Sequence, residues 1–216
     1  MYRLTSVTAV ISHRQPDGDD TAGGPSSHLL DATLRCIARW GVAKTSLDDV
    51  AREARVSRAT VYRSFPGGKD ALLSTVLHVE VHRLLDRIRA TVEAADTLED
   101  ALVAAITETG RTIADHAALQ YLLANEPELV LPRFAFSQLD ELLVVVRAVG
   151  APLLARFLDS DLSAAERVAE WVARITLSYT LSPAPGVSTA DEAAVRTLVK
   201  TFVLPGIANL QGAPAK

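Results

Sequence analysis

Cysteine, aromatic residues and long apolar runs are all scarce in this sequence. A single cysteine among 216 residues cannot form a disulfide within the chain, which excludes a disulfide-stabilised scaffold and indicates a reducing compartment. No apolar run approaches the ~20 uninterrupted residues of a membrane-spanning helix. The apolar stretch Val7–Ile11 is too short and too interrupted for a signal peptide. We therefore expect a cytoplasmic protein with no membrane partner.

Apolar residues nevertheless make up 49% of the chain, although aromatic residues contribute only 5%. This apolar content is enough to form a core that offsets chain entropy, so a disordered protein is excluded. Alanine occurs 34 times, and we find no convincing period-2 strand pattern. The composition predicts an all-α fold.

Turn-forming residues divide the chain. Residues 1–25, which end in a segment rich in Gly and Asp, are predicted to be a flexible tail. A first helix is predicted over about 27–40 with Gly41 as its stop. Further helices are predicted over 69–94, 97–114, 116–125, 134–158, 163–181 and 189–203, with prolines such as Pro127 and Pro205 between or after them.

Two short helices lie between these regions, with Ser46 and Ser57 as their N-caps. Helices of this length joined by a tight turn are typical of a helix-turn-helix, whose second helix can enter the major groove of DNA. Val61 and Phe65 are four residues apart and are predicted to pack inward. The opposite face then carries hydroxyls, a phenol and guanidinium groups without an acid, on Ser57, Arg58, Thr60, Tyr62, Arg63 and Ser64. Arg can fork onto guanine, Thr can contact thymine, and helix N-termini such as that at Ser57 bind phosphates.

Charge is distributed unevenly along the chain. The formal net charge is −4, yet residues 28–70 hold eight basic and five acidic residues and so carry +3. Residues 71–216 carry −6 and the first 27 residues carry −1. Mild overall acidity therefore does not exclude double-stranded DNA as a partner, because the positive charge is concentrated on the predicted helix-turn-helix.

The stretch TSLDDVAREARVSRATVYRSFPGGKDALL, from Thr45 to Leu73, closely resembles the DNA-binding domain of the TetR family of one-component transcriptional repressors. The resemblance implies a helix-turn-helix domain at 26–73 and a larger helical domain for effector binding and dimerisation at 74–210. It implies base contacts for Arg58, Ala59 and Thr60, and phosphate contacts for Thr45, Ser46, Tyr62, Arg63 and Lys69.

One residue departs from the family pattern. Arg55 stands in the turn where the family commonly has Gly. We expect a positive φ at this position, which costs Arg about 1 kcal/mol relative to Gly. The turn is then either locally strained or compensated by a phosphate contact of Arg55.

The resemblance further implies a homodimer that binds a palindromic operator and is released from it by a small effector. The helices beyond residue 94 are apolar with few polar residues, which would suit a lipophilic effector, although the same apolar residues would also fill an ordinary core. The candidate effector-binding residues are Arg111, Tyr121, Asn125, Phe134 and Gln138. The alternative is a helical ligand-binding or protein-interaction protein that no longer binds DNA.

No catalytic residue, cofactor site or metal site is predicted. His78 and His82 are four residues apart and could share a metal, but surface or partly buried histidines explain the spacing better. Cys36 lies beside the apolar stripe of the first helix and is expected in the core. His116 is expected to start a helix without a partner. The segment Gly68-Lys69-Asp70 lacks the Ser or Thr of a P-loop, and no motif of an enzyme is present.

Overall fold

The computed structural model describes residues 25–131, 136–159, 161–182 and 184–212, and nearly all of them are helical. Across these ranges the one β feature is an isolated bridge between Ala184 and Val187, so the predicted all-α fold is confirmed. None of the described helices is both long and apolar enough to cross a membrane. In chain order the helices are α1 (Pro25–Lys44), α2 (Leu47–Glu53), α3 (Arg58–Ser64), α4 (Gly68–Glu93), α5 (Leu98–Asp115), α6 (Ala117–Asn125), α7 (Pro127–Val130), α8 (Phe136–Ala155), α9 (Leu162–Leu181), α10 (Glu192–Leu198), a π-helical turn (Val199–Val203) and α11 (Leu204–Gly212).

The helices form two compact units. Of the described residues, the first takes in those up to His82 and, in addition, those within His116–Gln138. Its core is built by inward-facing side chains of the first four helices, among them Leu29, Cys36, Val50, Val61, Phe65 and Leu72. Helix α6 packs along α1, so the segment that carries it belongs with this unit, although it lies within the predicted second domain at 74–210. The predicted tail at 1–25 lies outside the described residues except for the backbone of Pro25.

The second unit contains the described residues within Arg83–Asp115 and Leu139–Lys216. Leu102, Ile106, Leu154, Val168, Val199 and Ile207 are among the buried side chains of its core. Arg196 of α10 joins three acids, since its guanidinium donates to Glu99, Asp100 and Glu192 over 2.8 to 3.2 Å. These bonds hold α10 against the first turn of α5.

The sequence prediction that Pro205 follows the last helix is wrong. The π-helical turn at Val199–Val203 leads directly into α11, and Pro205 lies in the first turn of that helix. The Leu204 N–H donates to the Val199 carbonyl, so helical hydrogen bonding continues up to the residue before Pro205, and proline itself has no N–H to leave unpaired. Pro127 likewise begins α7 at its first position.

Cys36 is fully buried in the first unit, as expected. Burial is the main cause that raises the pKa of its thiol, and the nearby carboxylates of Glu53 and Asp49 raise it further. The group therefore stays protonated and unreactive at neutral pH, which agrees with a packing role.

Gly41 breaks α1 three residues before its last residue, Lys44. Its φ of +78° and ψ of 174° are not helical, and this left-handed φ favours glycine. A Cβ atom at this position would lie 2.2 Å from Oε1 of Glu126 and 2.9 Å from Cε1 of Tyr121. Thr45 stabilises the break because its hydroxyl donates to the Gly41 carbonyl over 2.6 Å.

Replacing Gly41 with Ala should destabilise the protein more than a positive φ alone explains. The new methyl group must displace the Glu126 carboxylate, which is hydrogen-bonded to the backbone after Gly41. We expect Gly41→Ala to lower the free energy of unfolding by about 2–4 kcal/mol more than a glycine substitution with the same φ and free space. Urea unfolding followed by tryptophan fluorescence measures this difference.

Gly68→Ala is the matched control. Gly68 has a φ of +72°, but a Cβ there meets nothing within 4 Å. This substitution should lower the free energy of unfolding only by the cost of a side chain at a positive φ, which is about 1–2 kcal/mol. Equal losses for the two variants would mean that the contact of Glu126 at Gly41 contributes nothing.

Candidate nucleic-acid interface

Helices α2 and α3 and the turn between them form the predicted helix-turn-helix. Leu47, Val50 and Ala51 bury the inner face of α2. Val61 and Phe65 are buried at 0% and 7% exposure, so the predicted inward face of α3 is confirmed. The two helices pack against each other and leave the rest of α3 on the surface.

Arg55 adopts the positive φ that the sequence predicts. Its φ is +55°, and Val56 N–H donates to the Ala51 carbonyl over 3.0 Å, which closes α2 in the manner of a Schellman motif. Glycine is the common residue at this left-handed position. Arg55 carries the strain of about 1–2 kcal/mol for an L-residue, and its side chain is exposed.

Both short helices begin with a serine cap. Ser46 accepts a hydrogen bond from Asp49 N–H, and the Asp49 carboxylate accepts one from Ser46 N–H over 3.0 Å, which completes a capping box. Ser57 accepts from Thr60 N–H over 3.1 Å. These caps fix where each helix starts, and the start of α3 determines which of its side chains reach the surface.

The outer face of α3 carries the residues predicted to contact DNA. Ser57, Arg58, Ala59, Tyr62 and Arg63 are exposed and Thr60 is half-buried. Tyr62 is 52% exposed although it is aromatic, so its ring is available to a partner. The outward face of α3 therefore lacks an acidic side chain and a large aliphatic one, as expected from the sequence.

Arg58 nevertheless has an acidic partner from the other helix. Its Nη2 forms an ion pair with Oδ2 of Asp48, in the first turn of α2. The other carboxylate oxygen, Oδ1, is buried and has no hydrogen-bond partner among the described residues. The Arg58 side chain is 69% exposed, so the pair is in contact with water. Because exposed pairs contribute at most about 1 kcal/mol, Arg58 can leave Asp48 at little cost.

The other acids of the helix-turn-helix are paired with arginines outside α3. Glu53 bonds to Arg35 over 2.6 Å and to Arg39 over 3.1 Å. The hydrogen bond from Arg35 is the first cause that holds the pKa of Glu53 below its ordinary value. Asp49 pairs with Arg52 over 3.2 Å. These carboxylates are therefore compensated within the unit.

Two of the predicted phosphate contacts lie in less open places. Thr45 is 3% exposed and its hydroxyl is committed to Gly41, so its side chain lies beneath the surface. Lys69 is half-buried, and its Nζ donates to the Val42 carbonyl over 2.5 Å. An ammonium group has three donors, so Lys69 can hold Val42 and still reach an anion.

Glu126 is a residue of this region that sequence reasoning missed. Its two carboxylate oxygens accept from the backbone N–H groups of Val42 and Ala43, over 2.8 and 3.2 Å. Val42 is thus held from both sides, by Glu126 at its N–H and by Lys69 at its carbonyl. Glu126 is 84 positions from Val42, and no local pattern could have indicated this contact.

The candidate effector residues are divided between the two units. Arg111 belongs to the second unit, where its Nε donates to the Ala190 carbonyl over 3.1 Å. Tyr121 and Asn125 belong to the first unit, and the Asn125 amide donates to the Tyr121 carbonyl over 2.9 Å. Phe134 lies outside the described residues, and only the backbone of Gln138, in α8, is described.

The histidines of α4 and α6 have protein partners. The rings of His78 and His82 lie 4.5 Å apart at an angle of 50°. The expectation that His116 has no partner is wrong, because its Nδ1 caps α6 at Leu119 N–H and its Nε2 lies 3.3 Å from Glu80. Over the described ranges, no cluster of three or more His, Cys, Asp or Glu residues is suited to a metal ion.

Comparison with known proteins gives the same picture of the N-terminal region. Residues 29–76 match the family model described as bacterial regulatory proteins, tetR family. An uncharacterized HTH-type transcriptional regulator of Mycobacterium tuberculosis is 30% identical over 194 residues, which cover 88% of this chain and 89% of the relative. The likeness extends well beyond the helix-turn-helix.

Solved structures share the fold. The TetR-family repressor AlkX from a Dietzia species, implicated in biodegradation of n-alkanes, matches with a TM-score of 0.61 at 20% identity, over 88% of this chain and 98% of that one. The fatty acid degradation regulator FadR from Bacillus halodurans matches with a TM-score of 0.58 at 19% identity, over 86% and 99%.

The capping box of α2 predicts a pH dependence of stability. Hydrogen bonds from Ser46 are the main cause that lowers the pKa of Asp49. The resulting stabilisation is present above the ordinary pKa of Asp, about 3.9, and is lost as the pH falls through the lower pKa of the folded state. Ser46→Ala should therefore destabilise by about 1 kcal/mol at neutral pH, and its deficit should shrink below about pH 4.

Ser57→Ala is the control, because Ser57 caps α3 through Thr60 without a carboxylate. Urea unfolding followed by circular dichroism at a series of pH values compares both variants with the wild type. If the losses of unfolding free energy in the two variants vary with pH in the same way, the hydrogen bonds between Ser46 and Asp49 are not the source of the pH dependence.

Proposed function

Since the chain belongs to the TetR family of bacterial transcriptional regulators, we propose that it is a repressor that a small, lipophilic effector releases from a palindromic operator. Proteins of this family regulate transcription through a DNA-binding helix-turn-helix and are not enzymes, and the same holds for this chain. Repression, release by an effector and the palindromic operator are the parts that need experiments.

The observation that carries the proposal is the outer face of α3. It presents Arg58, Thr60, Tyr62 and Arg63 without an acid of its own, on a helix whose start and inner face are both fixed. We assign base contacts to Arg58, Ala59 and Thr60. Phosphate contacts fall to Thr45, Ser46, Ser57, Tyr62, Arg63 and Lys69, for Thr45 through its backbone because its side chain is buried.

A palindromic operator requires a two-fold dimer with the two α3 helices about 34–36 Å apart. An apolar surface on the second unit supports such a dimer. Phe202 is 64% exposed and Trp171 is 42% exposed. Gly206, one helical turn after Phe202, lies close to the Trp171 ring, since a Cβ there would be 3.5 Å from it. Exposed aromatic side chains grouped on one face are typical of an interface.

Release by an effector requires a connection to the helix-turn-helix. Hydrogen bonds at the Val42 peptide support such a connection, because Glu126 accepts from the Val42 N–H and Lys69 donates to the Val42 carbonyl. An effector that shifts the segment 116–138 would move Glu126, and with it the start of α2. The effector must bind the DNA-incompetent state more tightly, typically by about 1–3 kcal/mol, to act as a switch.

A lipophilic effector agrees with the apolar composition of the helices beyond residue 94. Two regulators of similar fold carry names that refer to the degradation of n-alkanes and of fatty acids. The rival function is a helical ligand-binding or protein-interaction protein that no longer binds DNA. The exposed face of α3 favours DNA, and a direct binding measurement separates the two.

Arg58→Ala should weaken DNA binding and relax its sequence preference. Loss of a bidentate contact to guanine costs about 1–3 kcal/mol, which corresponds to a 5- to 150-fold loss of affinity. Fluorescence anisotropy of a labelled fragment from the gene's own upstream region, against a scrambled fragment, measures both quantities. Affinity for either fragment should fall steeply with salt because phosphate contacts release counterions.

Arg89→Ala is the control for lost positive charge, because Arg89 is exposed on α4 and makes no hydrogen bond or ion pair with any residue that the structure describes. It should leave the affinity unchanged. Unchanged affinity and preference in Arg58→Ala would remove this residue from base recognition. Absence of binding, or a flat salt dependence, would favour the rival function.

Phe202→Glu should convert the dimer to a monomer. A carboxylate at the centre of an apolar interface is desolvated without a partner, which is strongly unfavourable. Sedimentation velocity measures the change. Leu129→Glu is the control, since Leu129 is 40% exposed but lies on α7 in the first unit. A wild-type monomer, or a variant that remains dimeric, would contradict the assigned interface.

A further inference from the structure

A cleft of about 270 Å³ opens in the second unit, between the end of α4, helix α5 and the start of α10. Small apolar side chains form part of its wall, namely Ala94, Ala95, Val103 and Ala104. Charged and hydroxyl-bearing side chains form the remainder. The volume is just below the range of about 300–1,000 Å³ that is typical of pockets for drug-sized ligands. The cleft therefore suits a small molecule.

Thr107 is the unusual residue of this cleft. It is 3% exposed, and its hydroxyl is buried without a hydrogen-bond partner in the described part of the chain. Other buried helical threonines bond to the carbonyl four residues earlier, as Thr33 does to Leu29 and Thr176 does to Val172. Thr107 does not make that bond, although a buried unsatisfied hydroxyl costs about 1–3 kcal/mol. The unsatisfied hydroxyl therefore belongs to a residue that lines the cleft, which is the place where a ligand could satisfy it.

The acids that line the cleft are already paired. Asp100 and Glu192 bond to Arg196 over 2.8 and 3.2 Å. Glu108 lies 3.2 Å from Arg87. These pairs neutralise the carboxylates, so the cleft does not repel an anion as strongly as its acidic residues alone suggest.

Arg111 is the cation of the cleft that remains available. Its Nε donates to the Ala190 carbonyl. Its two terminal nitrogens have no ion pair or hydrogen bond to any residue that the structure describes. Thr107 and Arg111 are four residues apart on α5 and therefore neighbours on one face of the helix. Both can act as donors, so the group that satisfies them together is an acceptor with negative charge.

We propose that this cleft binds a small organic carboxylate with a short apolar body. The carboxylate accepts hydrogen bonds from the Thr107 hydroxyl and from the Arg111 guanidinium, whose planar donors match a carboxylate. The apolar body lies against the alanines and Val103. The binding of a carboxylate in this cleft does not depend on the proposed function. The additional claim that this binding releases DNA does rest on the proposed function.

The experiment uses the full chain with methyl-labelled threonine, observed by NMR without DNA. The probes are sodium hexanoate and sodium benzoate, each paired with its neutral amide, hexanamide and benzamide. The Thr107 methyl signal is assigned by its disappearance in Thr107→Val. We expect both carboxylates to shift this signal at millimolar concentration, and both amides to shift it at least tenfold less effectively.

Variants locate the binding site. Thr107→Val and Arg111→Gln should each weaken hexanoate and benzoate binding at least tenfold, as measured by calorimetry. Thr176→Val is the matched control, because Thr176 is equally buried but its hydroxyl is already bonded. It should keep the affinity and lower the Tm, whereas Thr107→Val should keep or raise the Tm because it removes an unsatisfied hydroxyl. A normal Tm for Thr107→Val also shows that this variant is folded, so that its weaker ligand binding is not caused by misfolding.

Three results would overturn the proposal. The first is no shift of the Thr107 signal with either carboxylate, which would mean that the cleft holds water only. The second is equal binding of acid and amide, and the third is full affinity in both variants. DNA affinity is measured separately by anisotropy with and without each carboxylate. Binding at the cleft with unchanged DNA affinity would leave the site intact and remove its role as effector site.

Discussion

The peptide of Val42 is the constraint on which the first unit depends. Gly41 breaks α1 with a left-handed φ, and the chain must then turn into α2 without leaving polar backbone groups unpaired. The Glu126 carboxylate accepts hydrogen bonds from the N–H groups of Val42 and Ala43, and Lys69 donates one to the Val42 carbonyl. Three distant segments therefore meet at one peptide. Ser46 fixes the residue at which α2 starts, whereas the Val42 peptide fixes the chain that leads into α2, and through it the direction in which α3 presents its outer face.

The positive charge on the outer face of α3 is balanced by an ion pair of modest energy. Arg58 pairs with Asp48 while its side chain remains 69% exposed, so the pair contributes at most about 1 kcal/mol. A bidentate contact with guanine contributes about 1–3 kcal/mol of discrimination. With the base contact proposed for Arg58, a correct base can displace Asp48, whereas a weaker contact gains little over the pair already formed. Asp48 would in this way favour selectivity at the expense of affinity, and the buried Oδ1 without a partner is a reason for its carboxylate to stay near the cation.

The sequence predicted the features whose determinants are local. Ser46 and Ser57 cap helices through residues three positions away, and Val61 and Phe65 share a face because they are four apart. The positive φ of Arg55 followed from its place in the turn. Contacts between distant residues had no such signal, which is why Glu126 and the pairing of Arg58 with Asp48 were missed. The π-helical turn before Pro205 was missed for another reason, since packing of Val199 and Val203 overrides the tendency of proline to end a helix.

The same distinction applies to the effector. The composition indicated an apolar cavity. The candidate polar residues came from several helices, because periodicity alone cannot place single side chains. Thr107 was not among them, since a threonine in an apolar helix normally bonds to its own backbone. Its unpaired hydroxyl becomes informative only beside Thr33 and Thr176, which make that bond.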